Sequence, residues 1–459
     1  MLFELINHHI SPSNSKTAVI DSSLNIFSYT DLFNKIKEIE TQFQSSNLSK
    51  GLIVILKYDK SFLGLAYLLT CLKLGVIYIP VDVNIPENKL KSIIHSSNAN
   101  ALIDENFSIK KLNADVSNID KNSCCVLYTS GSTGNPKGVI ISHENLKPFI
   151  NWSCKEFNIT SEDIITSYAP FHFDLSTFDI YSSLKQGATI WLINKTLSTN
   201  FKLISEQIAK VNPSIWYATP TVFKMLYRYG NLKNNSQPKI VLFAGEVFDI
   251  QDLNALRLVW NNSTFYNLYG PTETNVCTYH KLPSKIETNR TETYPIGKAC
   301  DYAETKISKS GELLVSGKSI MQGYINEKQL TEKKFETLDG KMWLKTGDIV
   351  EERNGLLYYL HRNDRMIKHN GFRVELGEIE KELKTHTNII DVACIYFKNK
   401  IVALYTGQKT STIKLKTFCN QHLLSYMIPA QFNHLNKMPI NSNGKIDYSE
   451  LINNFNDNE

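Results

Sequence analysis

The sequence predicts an α/β protein: a large body with mostly parallel sheets, a small antiparallel β subdomain, and a small α+β domain at the C-terminal end. Three observations predict it. Short β-branched runs alternate with helix-period segments as far as "KIVLFAGE" (239–246), the pattern of βαβ units. From residue 295 the texture changes to Gly-punctuated short strands. Beyond the polar stretch "LHRNDRM" (360–366), helical and β patterns mix in a segment of small-domain size.

In order, "GLIVILKY" (51–58) reads as a strand, 61–74 as a helix, "GVIYIPV" (75–81) as a strand, 86–97 as a helix and "ALIDE" (101–105) as a strand. The alternation resumes at "ATIWLIN" (188–194), a helix over 200–211, "SIWYATP" (214–220) and "KIVLFAGE". β-branched runs of this kind, apolar on both faces, suit a parallel sheet covered by helices. "GELLVSG" (311–317), "KMWLKTGDIV" (341–350) and "GLLYYLHR" (355–362) read as antiparallel strands. The last domain carries a helix over 376–385, strands over 389–396 and 401–407, and a helix over 412–424. The expected domains are therefore 1–363 and 364–459.

Composition narrows the function. With 42% hydrophobic and 21% charged residues the chain reads as globular, and its +5 formal charge is scattered rather than clustered, which gives no nucleic-acid footprint. Eight cysteines form no CxxC pair, against a zinc site or disulfide framework and in keeping with a reducing compartment. The start "MLFELINHHISPSNSK" lacks a basic n-region and a long apolar core. The longest apolar stretch, 62–81, is broken by Lys73 and Pro80 and reads as a buried helix running into a strand. A soluble cytoplasmic protein without membrane attachment is expected.

The chemistry begins at "LYTSGSTGNPKGVIISHENL" (127–146). A Gly-rich loop after a strand lets backbone N–H groups close around phosphate oxygens, while hydroxyls and an ammonium add donors and charge. It is not a Walker A loop: Pro136 precedes Lys137, and Gly138 stands where a Mg²⁺-binding hydroxyl would be. No GxGxxG occurs, and "HENLK" lacks the second His of a metalloprotease helix.

The order Thr-Ser-Gly-Ser-Thr-Gly-x-Pro-Lys-Gly resembles that of the adenylate-forming superfamily, which includes acyl-CoA synthetases, luciferases and the adenylation domains of non-ribosomal peptide synthetases. The resemblance runs along nearly the whole chain. It continues through "FHFDLSTFDIYSSL" (171–184), "NLYGPTETNVC" (267–277), "GELLVSG", "KTGD" (345–348), "RNDRMIKHNGFRVELGEIE" (362–380) and "NSNGKID" (441–447). It implies an adenylate-forming body and a small mobile lid, with ATP and Mg²⁺ as the reaction's companions. His361 stands where the family usually has Gly, and "HNG" (369–371) replaces the common "IRG".

The resemblance also implies roles. Thr129, Ser130, Gly131, Ser132, Thr133, Gly134 and Lys137 would hold the ATP phosphates. Thr272 would bind the α-phosphate and Glu273 the Mg²⁺. Tyr269 would stack on adenine, with Asn267, Gly270 and the Gly245–Glu246 turn around it. Asp348 would accept from the ribose hydroxyls, Arg362 would reach ribose or phosphate, Asp364 would be the hinge, and Lys445 would be the catalytic lysine.

In the amino-acid branch of the superfamily an acid at the position of Asp174 pairs with the substrate ammonium. Such a carboxylate needs a cation, which argues against fatty or aryl acids. Motif register places Leu175, Phe178, Tyr217, Leu242, Ala244, Leu268, Val276 and Cys277 around the substrate. This uncharged, compact set is similar to that of free-standing enzymes that load L-proline onto a peptidyl carrier protein for natural-product (antibiotic) biosynthesis. D-alanine–carrier protein ligases share the layout and stay open as the alternative, as does an acyl- or aryl-CoA synthetase. The chain stops shortly after Lys445, so the phosphopantetheine thiol is expected from a separate carrier protein.

Overall fold

The computed structural model describes residues 1–113, 119–130, 136–232, 236–287, 289–440 and 446–456. The chain divides into two compact units: 1–83, 94–128 and 138–363 form the first, and 84–93, 129–137 and 364–459 the second.

The first unit contains three sheets. A nine-stranded sheet has a parallel centre, in which Thr264–Tyr269, Ile240–Phe243, Ile215–Ala218, Ile164–Ser167, Thr189–Leu192 and Thr17–Ile20 lie side by side. Antiparallel strands close both edges, Thr278–Lys281 and Lys298–Ala299 on one side and Ile26–Ser28 on the other. A seven-stranded sheet places Ile53–Lys57 between the parallel strands Ile77–Val81 and Ala101–Ile103. A five-stranded sheet, Ala303–Ile307, Glu312–Gly317, Phe335–Leu338, Lys341–Arg353 and Leu356–Arg362, is antiparallel throughout. The βαβ reading of the body and the antiparallel reading beyond residue 295 both match this topology.

The apolar stretch at 62–81 resolves as read from the sequence. Helix Phe62–Leu74 starts at Ser61, whose side chain accepts from Gly64 N–H, and stops at Gly75 in the left-handed conformation with φ 68°. Its residues Leu65, Ala66, Leu69, Cys71 and Leu72 have no exposed surface. Each large aliphatic buried in this way contributes roughly 1.5–3 kcal/mol relative to exposure. Strand Ile77–Val81 follows at once, buried along its whole length. Among the described residues no helix is long and apolar enough to cross a membrane. All eight cysteines are buried and free.

In the second unit a hairpin, Met366–His369 with Phe372–Glu375, leads into helix Leu376–Leu383. Strands Ile389–Phe397 and Lys400–Gly407 pair antiparallel, and Gln431–His434 adds to the second in parallel. Helix Thr412–His422 packs on that sheet through Leu415 and Cys419. Arg365 grips Glu380 with both guanidinium nitrogens, at 3.0 and 2.6 Å, and lies 3.5 Å over the Tyr448 ring. This ties the residue after Asp364 to the start of helix Tyr448–Asn456.

Candidate active site

Parallel strands deliver site residues at their C-terminal ends, where the following loops converge. Four such ends build the site in the first unit.

After strand Ile164–Ser167 the chain passes through Phe171 to Asp174 and turns. Thr177 donates twice to the Asp174 carbonyl oxygen, from N–H at 3.0 Å and from Oγ1 at 2.6 Å. The next residues, Phe178–Ser182, form one π-helical turn, a widened geometry common at functional sites. Asp174 itself is half-buried. The fully buried acid of this stretch is Asp179, whose carboxyl burial pushes well above the usual range, against the pull of Lys60 and Ser167. Lys60 lies in the same buried region, donating to the Ser167 carbonyl at 2.7 Å and its hydroxyl at 3.3 Å. Burial draws its ammonium down to about 7, while Asp179 and Asp59 oppose the shift.

The apolar wall forms on adjacent strands. Tyr217 and Leu242 are register partners, and the Phe178 ring meets Tyr217 edge-on at 5.4 Å. Burial, then the charges of Asp174 and Asp179, push the Tyr217 phenol well above its usual range. Leu175, Phe178, Tyr217, Leu242, Ala244, Leu268 and Val276 share one buried cluster. Cys277 instead packs with Tyr269, Ile296 and Leu313.

The loop after strand Thr264–Tyr269 carries Gly270, Thr272 and Glu273, the residues expected on the phosphate side. Gly270 is obligatory there, because a Cβ would sit 1.7 Å from the Asn275 carbonyl oxygen. Thr272 is half-buried. Glu273 is buried, with Oε1 accepting from the Tyr324 hydroxyl at 2.6 Å and its carbonyl accepting from Met321 N–H at 2.8 Å. Sequence reasoning missed Tyr324: it stands on the two-residue strand Gly323–Tyr324, and "MQGYI" carries no charge to draw notice.

Asp348 and Arg362 are cross-strand partners in the antiparallel sheet. Arg362 donates to Asp348 Oδ1 at 2.7 Å and to the Thr346 carbonyl at 3.3 Å, with side chains only 6% and 2% exposed. The other oxygen, Oδ2, accepts from the Tyr269 hydroxyl. Burial and the Asp348 charge hold that phenol well above its usual range, so it remains a donor. Three residues singled out separately in the sequence thus form one buried polar cluster.

Asn267 directs its amide to the Pro295 carbonyl at 2.8 Å, and Glu246 accepts from Thr221 N–H at 3.0 Å after Gly245 turns with φ 89°. In the second unit Ser130 donates to the Arg373 carbonyl at 2.7 Å, Lys137 is buried, and Asp364 accepts from Met366 N–H at 3.3 Å. Thr129 ends its strand beside Ser130. Gly131, Ser132, Thr133, Gly134 and Lys445 lie outside the described residues.

The AMP-binding enzyme family matches residues 7–124 and 106–325. The chain is 32% identical to an L-proline–[L-prolyl-carrier protein] ligase of Pseudomonas fluorescens, over 97% of this chain and 98% of that one. It is 30% identical to a D-alanine–D-alanyl carrier protein ligase of Bacillus licheniformis, over 92% and 93%. An artificially fused adenylation–carrier protein di-domain from Klebsiella oxytoca superposes with a TM-score of 0.82 at 22% identity, covering 95% of this chain and 93% of that one. The chain belongs to the AMP-binding enzyme family.

Proposed function

We propose that this protein activates an amino acid, L-proline by preference, with ATP, and loads it onto the phosphopantetheine thiol of a separate carrier protein. In the first step a substrate carboxylate oxygen attacks the α-phosphorus, the bond to the β-phosphate oxygen breaks, and pyrophosphate leaves. In the second the carrier thiol loses its proton, its sulfur attacks the acyl carbon of the aminoacyl-AMP, and AMP leaves. The carboxylate alone is a poor electrophile; the mixed anhydride is not.

The observation that carries this reading is Asp174, half-buried in the turn that leads into Leu175 and Phe178 of the buried apolar cluster. An ammonium group complements a carboxylate at this position. The relatives' shared action on carrier proteins supports the acceptor class.

On the nucleotide side, Asp348 would receive the ribose hydroxyls while Arg362 and Tyr269 hold its orientation. Glu273 would hold Mg²⁺, which neutralises phosphate charge when bound. A single buried carboxylate whose orientation Tyr324 secures fits an ion that keeps waters and takes its remaining oxygens from phosphates. Among the described residues no cluster of three His, Cys, Asp or Glu offers an all-protein metal cage. Lys445 is assigned to the α-phosphate and substrate carboxylate, where its ammonium would stabilise charge as pyrophosphate departs.

Amino-acid-dependent ATP–pyrophosphate exchange across the common amino acids tests the reading. L-proline should give the highest rate. A higher rate with D-alanine, the amino acid in the Bacillus relative's name, would replace proline while keeping the rest.

A further inference from the structure

The hydroxyl of Thr177 has a second partner besides the Asp174 carbonyl. Asn275 Nδ2 donates to Thr177 Oγ1 at 3.2 Å, across 98 residues of sequence. Both side chains are buried, with Thr177 3% and Asn275 7% exposed.

The rest of Asn275 is equally constrained. Its backbone is left-handed at φ 55°, a region Asn tolerates better than most residues. Its Oδ1 accepts from Val276 N–H at 2.7 Å, and its carbonyl accepts from the Thr274 hydroxyl at 2.8 Å. Because Val276 N–H can only donate, the amide oxygen must face it, and the amide nitrogen must face Thr177. The hydroxyl of Thr177 donates to Asp174 and accepts from Asn275, so the two bonds do not compete.

This relay joins the loop carrying Asp174 to the loop carrying Glu273. Thr177 lies between Asp174 and the wall residue Phe178; Asn275 lies between Glu273 and the wall residue Val276. We propose that the Asn275–Thr177 hydrogen bond is a selectivity strut: it fixes the spacing of the wall residues Phe178 and Val276 and presents the Asp174 turn to the loop carrying Glu273. Neither side chain has to touch the substrate. Both are positioning residues, acting through Asp174, Phe178 and Val276. Losing either partner strands a buried polar group and frees one loop from the other. The consequence falls on the fit of the amino acid, not on ATP. This inference rests on the reading that Asp174 receives the amino acid's ammonium group.

The test first identifies the preferred amino acid of the wild type by pyrophosphate exchange, so a failure of the proline reading shows before any variant is made. It then compares Thr177→Val, Thr177→Ser, Asn275→Gly and the Thr177→Val/Asn275→Gly double variant. KM for amino acid, KM for ATP and kcat are measured with the preferred substrate and its one-carbon ring or chain homologue. Valine keeps the shape and removes the hydroxyl; glycine keeps the left-handed backbone. Each single variant should raise the amino-acid KM about tenfold and cut discrimination against the homologue about tenfold, the scale of one methylene of fit. ATP KM should stay within about twofold. Thr177→Ser should recover most of the selectivity lost in Thr177→Val, and the double variant should be no worse than the worse single one. Unchanged selectivity in Thr177→Val, equal impairment in Thr177→Ser, additive effects in the double variant, or an equal rise in ATP KM would each overturn the proposal. If Thr177→Val does not fold, Asn275→Gly alone decides by the same selectivity ratio.

Discussion

At the proposed nucleotide side of the first unit, charged groups arrive already bonded: Asp348 to Arg362 and Tyr269, Glu273 to Tyr324. At the proposed amino-acid side the packing is apolar, with ring contacts such as Phe178 on Tyr217, and the half-buried Asp174 lies in the turn that leads into it. The difference follows from what each side must recognise. ATP is the same for every member of the family, so its site can be a fixed polar lattice with little reorganisation left for the reaction. The amino acid differs between relatives, and shape discriminates weakly, at about 10–200-fold per methylene. In the proposed reading the strong term there is a charge pair between Asp174 and the substrate ammonium.

Substitutions can break this contrast from either side. The largest effect is expected for Lys445→Ala, which should lower aminoacyl-AMP formation by about 100-fold or more, as loss of a transition-state donor does. Thioester formation from supplied aminoacyl-AMP should persist, and rapid-quench measurement of the two half-reactions separates them. Arg362→Gln should come next. It removes one of two donors to a buried carboxylate, so KM for ATP should rise about tenfold or more while amino-acid selectivity is unchanged. Tyr324→Phe should be milder: a severalfold rise in the Mg²⁺ concentration for half-maximal exchange, since Glu273 keeps its place but loses one donor.

The smallest effect concerns stability. His143 Nδ1 accepts from Leu2 N–H at 3.3 Å, which requires that nitrogen unprotonated. Burial, then the N-terminal ammonium and Lys147, pulls its imidazole from 6.5 down to about 4. The unfolded chain therefore binds this proton first as pH falls, and stability is lost progressively between those two values. His143→Gln should flatten the fall in Tm over that window by a few degrees, measured by thermal unfolding at stepped pH.

Strand placement was legible because burial on both faces leaves unbroken runs with almost no charge: 53–56, 77–81 and 215–218 are buried residue after residue. Candidate site residues stand out in the sequence where the motif carries a charge, as at Glu273, Asp348 and Asp174. What stayed hidden depends on pairs distant in sequence. Tyr324 reaches Glu273 across 51 residues, and Asn275 reaches Thr177 across 98. A tyrosine after a glycine and a threonine before a phenylalanine announce nothing locally. Arg362 was placed near ribose or phosphate, but only the cross-strand register reveals that it holds Asp348.

One comparison reaches the core of the account. Adenylation of L-proline is measured against cyclopentanecarboxylate, the same ring and carboxylate without the nitrogen, in the wild type and in Asp174→Asn. The wild type should favour proline by about 100-fold or more, and the variant should lose most of that preference through proline's KM. Equal preference in the two proteins would show that the carboxylate at position 174 does not receive the amino group.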